Sequence, residues 1–399
     1  MKNLTLILSL FIFSFSSFAI ANEEQDAGLN GSAASTEAKQ TEEALSNVRP
    51  GQPFVGTIES EKRARRDWIW ESEIEPEDTG WALYLDNDLF ALRDGDRDYT
   101  GGMSLTLSGS RAKDYWFSLN PVLEKLDDWS SVSNLHDSGD RELHSIETGF
   151  TVFTPANINQ VDMQQGDRPY ASLIYLSNTK ESIDLDNDSA WVSSFTVGIL
   201  GSSIVEEIQT EIHKATGSEE PVGWENQISD GGELTFRYSL AKQNLFHFNY
   251  QGDNRVEVST TSQASLGYLT EVSFGMAARI GEFNTPWYSF RPQFNDYSEK
   301  SSSMAGSEKG SEELYFWAGF NLHARLYNSF LQGQFKHTES AYSASEVRHL
   351  VADGWLGVTK QFKSGWRVSY LLRGQTSEIK SGVADRSTVW GGFIVSKGW

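Results

Sequence analysis

From Gly80 to the C-terminus, apolar and polar residues alternate along many short segments of the chain. Within 314–326 every second residue is apolar, and the positions between them include Asn321, His323 and Arg325. The segment 366–375 alternates in the same way. A period of two is typical of β-strands with two different faces. A soluble sheet rarely carries so many charges on its second face, whereas a membrane barrel with a wet lumen does. The pattern therefore predicts an all-β transmembrane antiparallel β-barrel.

The alternating segments give a strand count. The pair 231–240 and 244–251 has the weakest pattern, and without it the barrel has twelve strands instead of fourteen. Both counts are even, as a closed antiparallel barrel of this class requires. We expect twelve strands, with fourteen as the alternative. The segments are 81–90, 98–109, 143–154, 169–179, 190–201, 231–240, 244–251, 255–267, 271–282, 312–324, 329–337, 350–362, 366–378 and 386–399.

Strand order predicts which connections share one end of the barrel. If the first strand starts in the periplasm, 91–97, 155–168 and 202–230 all lie at the outer rim. The connection at 110–142 then becomes a periplasmic insert, and its spaced apolar residues favour a short helix. In 202–230, the residues Ile204, Ile208 and Ile212 recur at helical spacing, which predicts a short helix in an extracellular loop.

The N-terminus has the pattern of an export signal. Lys2 precedes an apolar run over 4–20, and a small-x-small sequence ends at Ala21, which predicts a signal peptide over 1–21. A membrane anchor is the alternative, but the run only reaches the minimum span and contains four serines. Residues 22–79 form an acidic tail too poor in large apolar residues to build a core. We therefore expect the barrel to span 80–399 in a bacterial outer membrane.

Composition narrows the possible partners and metal sites. The formal net charge is −22, which disfavours nucleic acid as a partner because phosphates would be repelled. The chain contains no cysteine, so disulfides and thiolate metal sites are excluded. The sequence does not specify the oligomeric state, and we expect a monomer.

Oxygen-bearing side chains converge where the first hairpin turns. Asn87 and Asp88 end one predicted strand, and Thr100 begins the next. Amide, carboxylate and hydroxyl oxygens suit a hard cation such as Ca²⁺. The alternative is an Asx-rich turn that only satisfies backbone groups.

A histidine in the predicted outer helix is the candidate base. His213 follows Gln209 by four residues, so both lie on one helix face beside the isoleucines. An inert surface histidine is the common alternative. The strand order, however, places His213 at the same rim as Asp88, and a neutral imidazole can act as a general base near neutral pH. Together these groups predict Ca²⁺-assisted hydrolysis of an ester in a lipid or lipopolysaccharide of the outer leaflet.

In order and in approximate spacing, these motifs resemble the lipid A 3'-O-deacylase family of Gram-negative outer membranes. The resemblance covers about residue 80 to the C-terminus. It implies a twelve-stranded barrel, calcium dependence and release of the 3'-linked acyloxyacyl chain from lipid A. It also assigns catalytic or metal-binding roles to Asn87, Asp88 and Thr100, and the role of base to His213. The motifs are Asp86-Asn87-Asp88, Asp98-Tyr99-Thr100-Gly101, Gly166-Asp167-Arg168-Pro169-Tyr170-Ala171, Gln209 with His213, and Gly217, Pro221, Trp224, Gln227 and Ile228.

The chain departs from this family in one loop. Family members use a lysine after the third strand, and 154–168 contains none. Gln160 and Arg168 are the candidate substrate contacts there. Arg168 also has a structural alternative, an ion pair with Asp167 that fixes the loop. The missing lysine leaves open either a replacement basic residue, a different substrate or loss of activity.

Two other functions compete with the deacylase. An outer-membrane phospholipase is suggested by His136-Asp137-Ser138-Gly139, although this motif lacks the asparagine of that class and lies in the predicted periplasmic insert. A non-catalytic channel or scaffold is the second alternative. A channel should conduct ions and tolerate loss of His213, whereas a hydrolase should need His213 and a divalent cation.

Overall fold

The computed structural model describes residues 75–91, 97–133, 139–251, 254–294, 297 and 311–398. The predicted signal peptide, most of the acidic tail and the motif residues His136 to Ser138 lie outside these residues.

Twelve antiparallel strands close into a barrel, and β1 pairs with β12 from Gly80 opposite Gly398 to Asn87 opposite Gly391. The predicted architecture is confirmed. The strands are β1 Gly80–Asn87, β2 Asp98–Ser108, β3 Arg141–Thr154, β4 Ala171–Asp184, β5 Ser189–Leu200, β6 Glu233–Gln251, β7 Asn254–Gly267, β8 Leu269–Glu282, β9 Glu313–Asn328, β10 Leu350–Gln361, β11 Trp366–Gln375 and β12 Thr388–Gly398.

The count of twelve arises differently from the prediction. The segments 231–240 and 244–251 are one continuous strand, β6, in which Ala241 pairs with both Val192 and Gln263. The predicted strand at 329–337 is wrong. The side chain of Asn328 accepts a hydrogen bond from Phe330 N and starts a one-turn helix, α3 (Ser329–Gln332), at that position.

The two faces of the strands follow the predicted alternation. In β9 the apolar row is exposed on the outer wall, with Phe316 at 61% and Leu326 at 69%. The alternate row, which includes Asn321 and Arg325, is buried inside. The outer wall is therefore the lipid-facing surface, and the inner row lines the lumen.

The lumen is charged but packed, which corrects the expectation of a wet interior. The connection after β8 enters the barrel, where Arg291 pairs with Glu181 and Gln293 donates to Thr261 Oγ1. Tyr297 lies further along and packs on Phe153 at a centroid distance of 4.8 Å. A segment of the chain thus fills the space that an open pore would occupy.

The barrel has a terminal end, where β1 begins and β12 ends, and an opposite loop end. The terminal end carries the short turns at 185–188 and 362–365, as periplasmic ends usually do. It also carries α1 (Asn120–Trp129), inside the predicted insert. The loop end carries α2 (Ser203–Thr216). Among the described residues, no helix is long and apolar enough to cross a membrane.

Candidate functional site

The first part of the site is the end of the β1–β2 hairpin. Asn87 is the last residue of β1, and its Oδ1 accepts a hydrogen bond from Leu89 N at 2.8 Å. Asp88 opens a 3-10 turn, is buried, and accepts from Arg97 N through Oδ2 at 2.9 Å. Because Asp88 has left the strand, the alternation of β1 no longer determines its direction.

Thr100 joins this hairpin to β3. The ladder between β2 and β3 shifts register between Tyr99 and Gly101, and Thr100 occupies this irregularity. Its Oγ1 lies 2.6 Å from Thr154 Oγ1. A methyl group at Gly101 would lie 2.5 Å from Asp86 O, so a glycine is needed for this close approach.

These residues belong to the lipid-facing side of the wall. Asn87 follows the outward row of β1 that includes Leu85, whereas Asp86 points inward and accepts a hydrogen bond from the Tyr99 hydroxyl. Thr154 continues the β3 row that contains Val152, which packs outside the barrel under α2. The candidate site therefore opens toward the membrane and not into the lumen.

The second part of the site is α2, which lies against this same wall. Its N-cap is Ser202, whose side chain accepts from Ile204 N, and it ends at Gly217 in a left-handed conformation. The buried helix face carries Val205, Gln209 and His213. Val205 belongs to one packed cluster with Val152, two residues before Thr154 on the same face of β3.

The exposed side of α2 carries both apolar and charged side chains. In the isoleucine stripe predicted from sequence, Ile204 is 54% and Ile212 is 37% exposed, and Ile208 is half-buried. Glu207 and Glu211 are exposed beside them, while Gln209 and His213 are each 5% exposed. Isoleucines turned outward are expected where the surrounding solvent is lipid. Val205, Gln209 and His213 are instead held between helix and barrel.

His213 has a fixed tautomer. Its Nδ1 donates a hydrogen bond to the carbonyl oxygen of Glu219, because a carbonyl can only accept. The Glu219 side chain in turn accepts from Asn159 Nδ2 of the β3–β4 connection. In the neutral ring, Nε2 is then the basic nitrogen.

The β3–β4 and β5–β6 connections are tied together behind His213. Val222 N donates to Ile158 O at 2.8 Å, and the Tyr170 hydroxyl donates to the carbonyl oxygens of the same two residues. The Tyr170 ring packs on Trp224 at 4.8 Å. Burial raises the pKa of Tyr170, so the phenol stays protonated and remains a donor.

Gln209 is the site residue to which sequence analysis gave no role. Within the described part of the chain, neither amide atom of its buried side chain has a hydrogen-bond partner. A buried amide without partners costs free energy, so it is well placed to bind a polar group of a ligand. Its position four residues before His213 was the available signal.

Arg168 lies on the other side of the wall from these groups. It is 4% exposed, forms an ion pair with Glu378, and lies over the lumenal Phe153 ring at 4.7 Å. Burial alone would lower the pKa of Arg168, but Glu378 and Asp98 outweigh it and raise the pKa. The structural alternative thus fits Arg168, with Glu378 as its partner where the sequence suggested Asp167. Gln160 is exposed in the β3–β4 connection.

The Asn87, Asp88 and Thr100 oxygens have the right chemistry for a hard cation but include a single carboxylate. The described residues contain no group of three or more His, Asp or Glu side chains that could hold a metal ion. Ca²⁺ takes six to eight oxygen ligands. These three side chains therefore fit a weak cation site, whose remaining oxygen ligands would have to come from the backbone, from water and from a bound molecule.

The family of the chain is shown by a sequence comparison. The family model described as outer membrane protein LpxR matches residues 61–399. The structure of LpxR from Salmonella typhimurium is similar to the barrel, with a TM-score of 0.62 at 18% identity, and the match covers 80% of this chain and 100% of that one. The β domain of the Bordetella autotransporter BrkA covers 81% of this chain and 99% of its own, at 8% identity and a TM-score of only 0.38. No curated protein matches the sequence. The chain is therefore a twelve-stranded outer-membrane barrel of the LpxR family.

Proposed function

We propose that the protein hydrolyses the 3'-linked acyloxyacyl ester of lipid A in the outer leaflet. In this proposal His213 is the general base, and Asn87, Asp88 and Thr100 hold Ca²⁺. Family membership supports an enzyme acting on lipid A. The position of α2 supports it most directly, because His213 is buried between this helix and the lipid-facing wall.

The tautomer of His213 determines which atom can act. Nδ1 is engaged by the Glu219 carbonyl, so Nε2 takes the proton of a water molecule. The hydroxide attacks the ester carbonyl carbon and forms a tetrahedral oxyanion. As this collapses, the bond to the sugar oxygen breaks, and the imidazolium returns its proton to that oxygen. The products are a 3'-hydroxyl on the sugar and a free acyloxyacyl carboxylic acid.

When bound, Ca²⁺ supplies positive charge that stabilises the developing oxyanion. Asn87, Asp88 and Thr100 are the residues that would hold it. Gln209 is positioned to donate to the substrate from the buried face of α2, since its amide has no partner among the described residues.

The direction in which the site opens suits a lipid substrate. Asn87, Thr154 and the buried face of α2 all belong to the outer wall, so an acyl chain can approach laterally without leaving the membrane. The exposed side chains of Ile204 and Ile212 extend this apolar surface. We propose that the acyl chain packs along this stripe.

A cation for the substrate phosphate is available in another loop. A cleft of about 240 Å³ at the loop end is lined by Met163 of the β3–β4 connection and by Asp230, Lys336 and His337. Lys336 Nζ donates to Asp230 O at 2.7 Å and is exposed. We propose that Lys336 supplies the charge that the family lysine provides in the β3–β4 connection.

The decisive experiment is mass spectrometry of lipid A after incubation with the purified barrel and Ca²⁺. His213→Gln and a chelated sample serve as negative controls. Loss of an acyloxyacyl mass with wild type alone is the expected result. If the lipid A mass stays unchanged with wild type, deacylation of lipid A is refuted, and phospholipids become the substrate to test.

The channel alternative is less well supported, because the lumen is filled by part of the chain. Arg291 and Gln293 place the β8–β9 connection across its interior, bonded to Glu181 and Thr261. Single-channel recording in planar bilayers tests this alternative, and a stable conductance that persists in His213→Gln would favour it.

A further inference from the structure

The insert between β2 and β3 does not extend away from the barrel. Its helix α1 packs against β4 and β5, and Asp127 accepts hydrogen bonds from Ser193 Oγ at 2.8 Å and from the Tyr238 hydroxyl at 2.7 Å. Earlier in the insert, Asn178 Oδ1 accepts from Leu119 N at 2.8 Å and Asn178 Nδ2 donates to Ala112 O at 3.2 Å. The insert is therefore anchored to three strands by buried polar contacts.

The strand residues in these contacts all point outward. Ser193 alternates with Phe195 and Ile199 on β5, and Tyr238 alternates with Leu234 and Phe236 on β6. Leu234 and Phe236 are 71% and 53% exposed and belong to the lipid-facing surface. The insert thus lies on the outer wall of the barrel, over a patch that would otherwise present serine and asparagine to lipid.

The outward-facing residues of the wall beneath the insert are buried, whereas many outward-facing residues elsewhere on the barrel are exposed. Ile146 and Asn178, which pair across β3 and β4 and point outward, are 3% and 1% exposed. Leu123 of α1 is fully buried against this patch. The wall and the insert therefore form one continuous surface, and the outer side of the insert takes the place of the wall that it covers.

That outer side carries large apolar side chains with no cover. Trp116 is 94% exposed and Trp129 is 85% exposed, and Phe117 and Val122 are exposed beside them. Lys125 lies one helical turn from both Val122 and Trp129, where its long side chain can reach the headgroups. Tryptophan and lysine at this level are typical of a membrane–water interface.

The depth of the contact agrees with this surface chemistry. Ser193 lies four residues into β5 from Ser189 at the terminal end. At about 3.4 Å per residue and a strand tilt of about 40°, it lies about 10 Å above that rim. Terminal-end tryptophans of the wall itself, Trp81 and Trp366, pack edge to face with a centroid distance of 5.5 Å. An insert that contacts the wall at this depth would continue this aromatic belt.

We propose that residues 109–133 form an interfacial foot, an in-plane segment whose Trp116 and Trp129 side chains insert among the phospholipids of the leaflet at the terminal end, the periplasmic one. The partner is the phospholipid bilayer at its headgroup–acyl boundary. The assignment rests on the position of the foot, which covers part of the lipid-facing wall and is continuous with it. It does not depend on the proposed hydrolase activity.

The test uses single nitroxide labels, which the cysteine-free chain makes specific. Trp116→Cys and Trp129→Cys are labelled in barrels reconstituted in vesicles of phosphatidylethanolamine and phosphatidylglycerol. Leu356→Cys on the exposed wall is the lipid control, and Lys363→Cys in the β10–β11 turn is the aqueous control. Power-saturation spectra give the accessibility of each label to oxygen and to a water-soluble nickel chelate.

We expect the oxygen-to-nickel ratio at 116 and 129 to exceed that at 363 by several-fold and to lie below that at 356. Ratios at 116 and 129 equal to that at 363 would overturn the proposal. So would dipolar broadening that disappears when labelled barrels are diluted with unlabelled ones, since a second copy of the chain would then cover the foot. Heat-modifiable migration on gels confirms that each variant is folded.

Discussion

His213 Nδ1 donates a hydrogen bond to the backbone carbonyl oxygen of Glu219, six residues further along the chain. This contact spans the left-handed turn at Gly217 that ends α2. It orients the imidazole ring and leaves Nε2 as the nitrogen that can accept a proton.

We expect His213→Gln to lower the rate of lipid A deacylation by about 10²- to 10⁴-fold, the usual contribution of a general base. Glutamine keeps the size and polarity of the side chain but cannot take the proton. Mass spectrometry of lipid A over time measures the rate.

The matched control is His349→Gln. His349 also lies at the loop end, and its Nδ1 also donates to a backbone carbonyl oxygen, that of Arg325, at 2.8 Å. This variant should keep wild-type activity. Equal losses in both variants would mean that His213 has no special role.

Asp88→Asn should raise the Ca²⁺ concentration for half-maximal activity by about tenfold or more, because the single carboxylate of the proposed cation site is lost. Asp86→Asn is the neighbouring control, since Asp86 points into the lumen toward the Tyr99 hydroxyl. The measurement is activity against free Ca²⁺ in buffered chelator. Unchanged calcium dependence in Asp88→Asn would remove Asp88 from the site.

Replacing the exposed isoleucines of α2 should weaken substrate binding without unfolding the barrel. The double variant Ile204→Ser with Ile212→Ser should raise the half-saturating lipid A concentration by about tenfold, as expected when apolar contact with an acyl chain is lost. Leu356→Ser, on the exposed wall of β10, is the control. If both variants show the same small change, the stripe does not contact substrate.

Arg168→Met should destabilise the barrel strongly. It removes Arg168, one of the two arginines that pair with the buried Glu378, and breaking a buried ion pair costs about 3–5 kcal/mol. Arg348→Met breaks an exposed pair with Asp385 and should cost at most about 1 kcal/mol. Urea unfolding in detergent, followed by tryptophan fluorescence, compares the two. Similar midpoints would show that the Arg168 pair adds little.

The same network predicts loss of stability in acid. Burial alone would raise the pKa of Glu378, but Arg168 and Arg325 outweigh it and hold the pKa below its ordinary value. A lowered pKa in the folded state gives stability that is present above about pH 4.3, the unfolded pKa, and is lost as pH falls through the folded pKa. Urea midpoints from pH 6 to pH 3 should therefore fall less steeply in Glu378→Gln than in wild type. Parallel curves would contradict this assignment.

Much of the barrel could be predicted from alternation alone. In β9 and β11 the apolar rows were placed on the outer wall and the polar rows inside, because a strand turns every second side chain to the same face. The prediction of a break within β6 was wrong. The predicted break included Lys242, a charged residue on the lipid-facing row. Its Nζ lies 5.2 Å from the centre of the Trp191 ring, so the side chain stays at the interface and the strand continues.

The candidate site could be predicted only in part. Asn87, Asp88, Thr100 and His213 were recognised from their chemistry and from the resemblance to a family, and strand order placed their segments at one end. Sequence grouped Arg168 with them because its loop is at the same end. The barrel wall separates Arg168 from these residues, because Arg168 pairs with Glu378 inside the barrel mouth. The two partners are 210 residues apart in the sequence.

The sequence by itself determined the local properties: the period of the strands, the helix at α2 and the residue types available for chemistry. The tertiary structure decided which surface each helix covers. Each helix buries both apolar and polar residues against the wall, Leu123 with Asp127 on α1 and Val205 with His213 on α2. This packing places Gln209 and His213 against the barrel and leaves Ile204, Trp116 and Trp129 exposed, because only the closed barrel supplies the wall that selects the covered side of each helix.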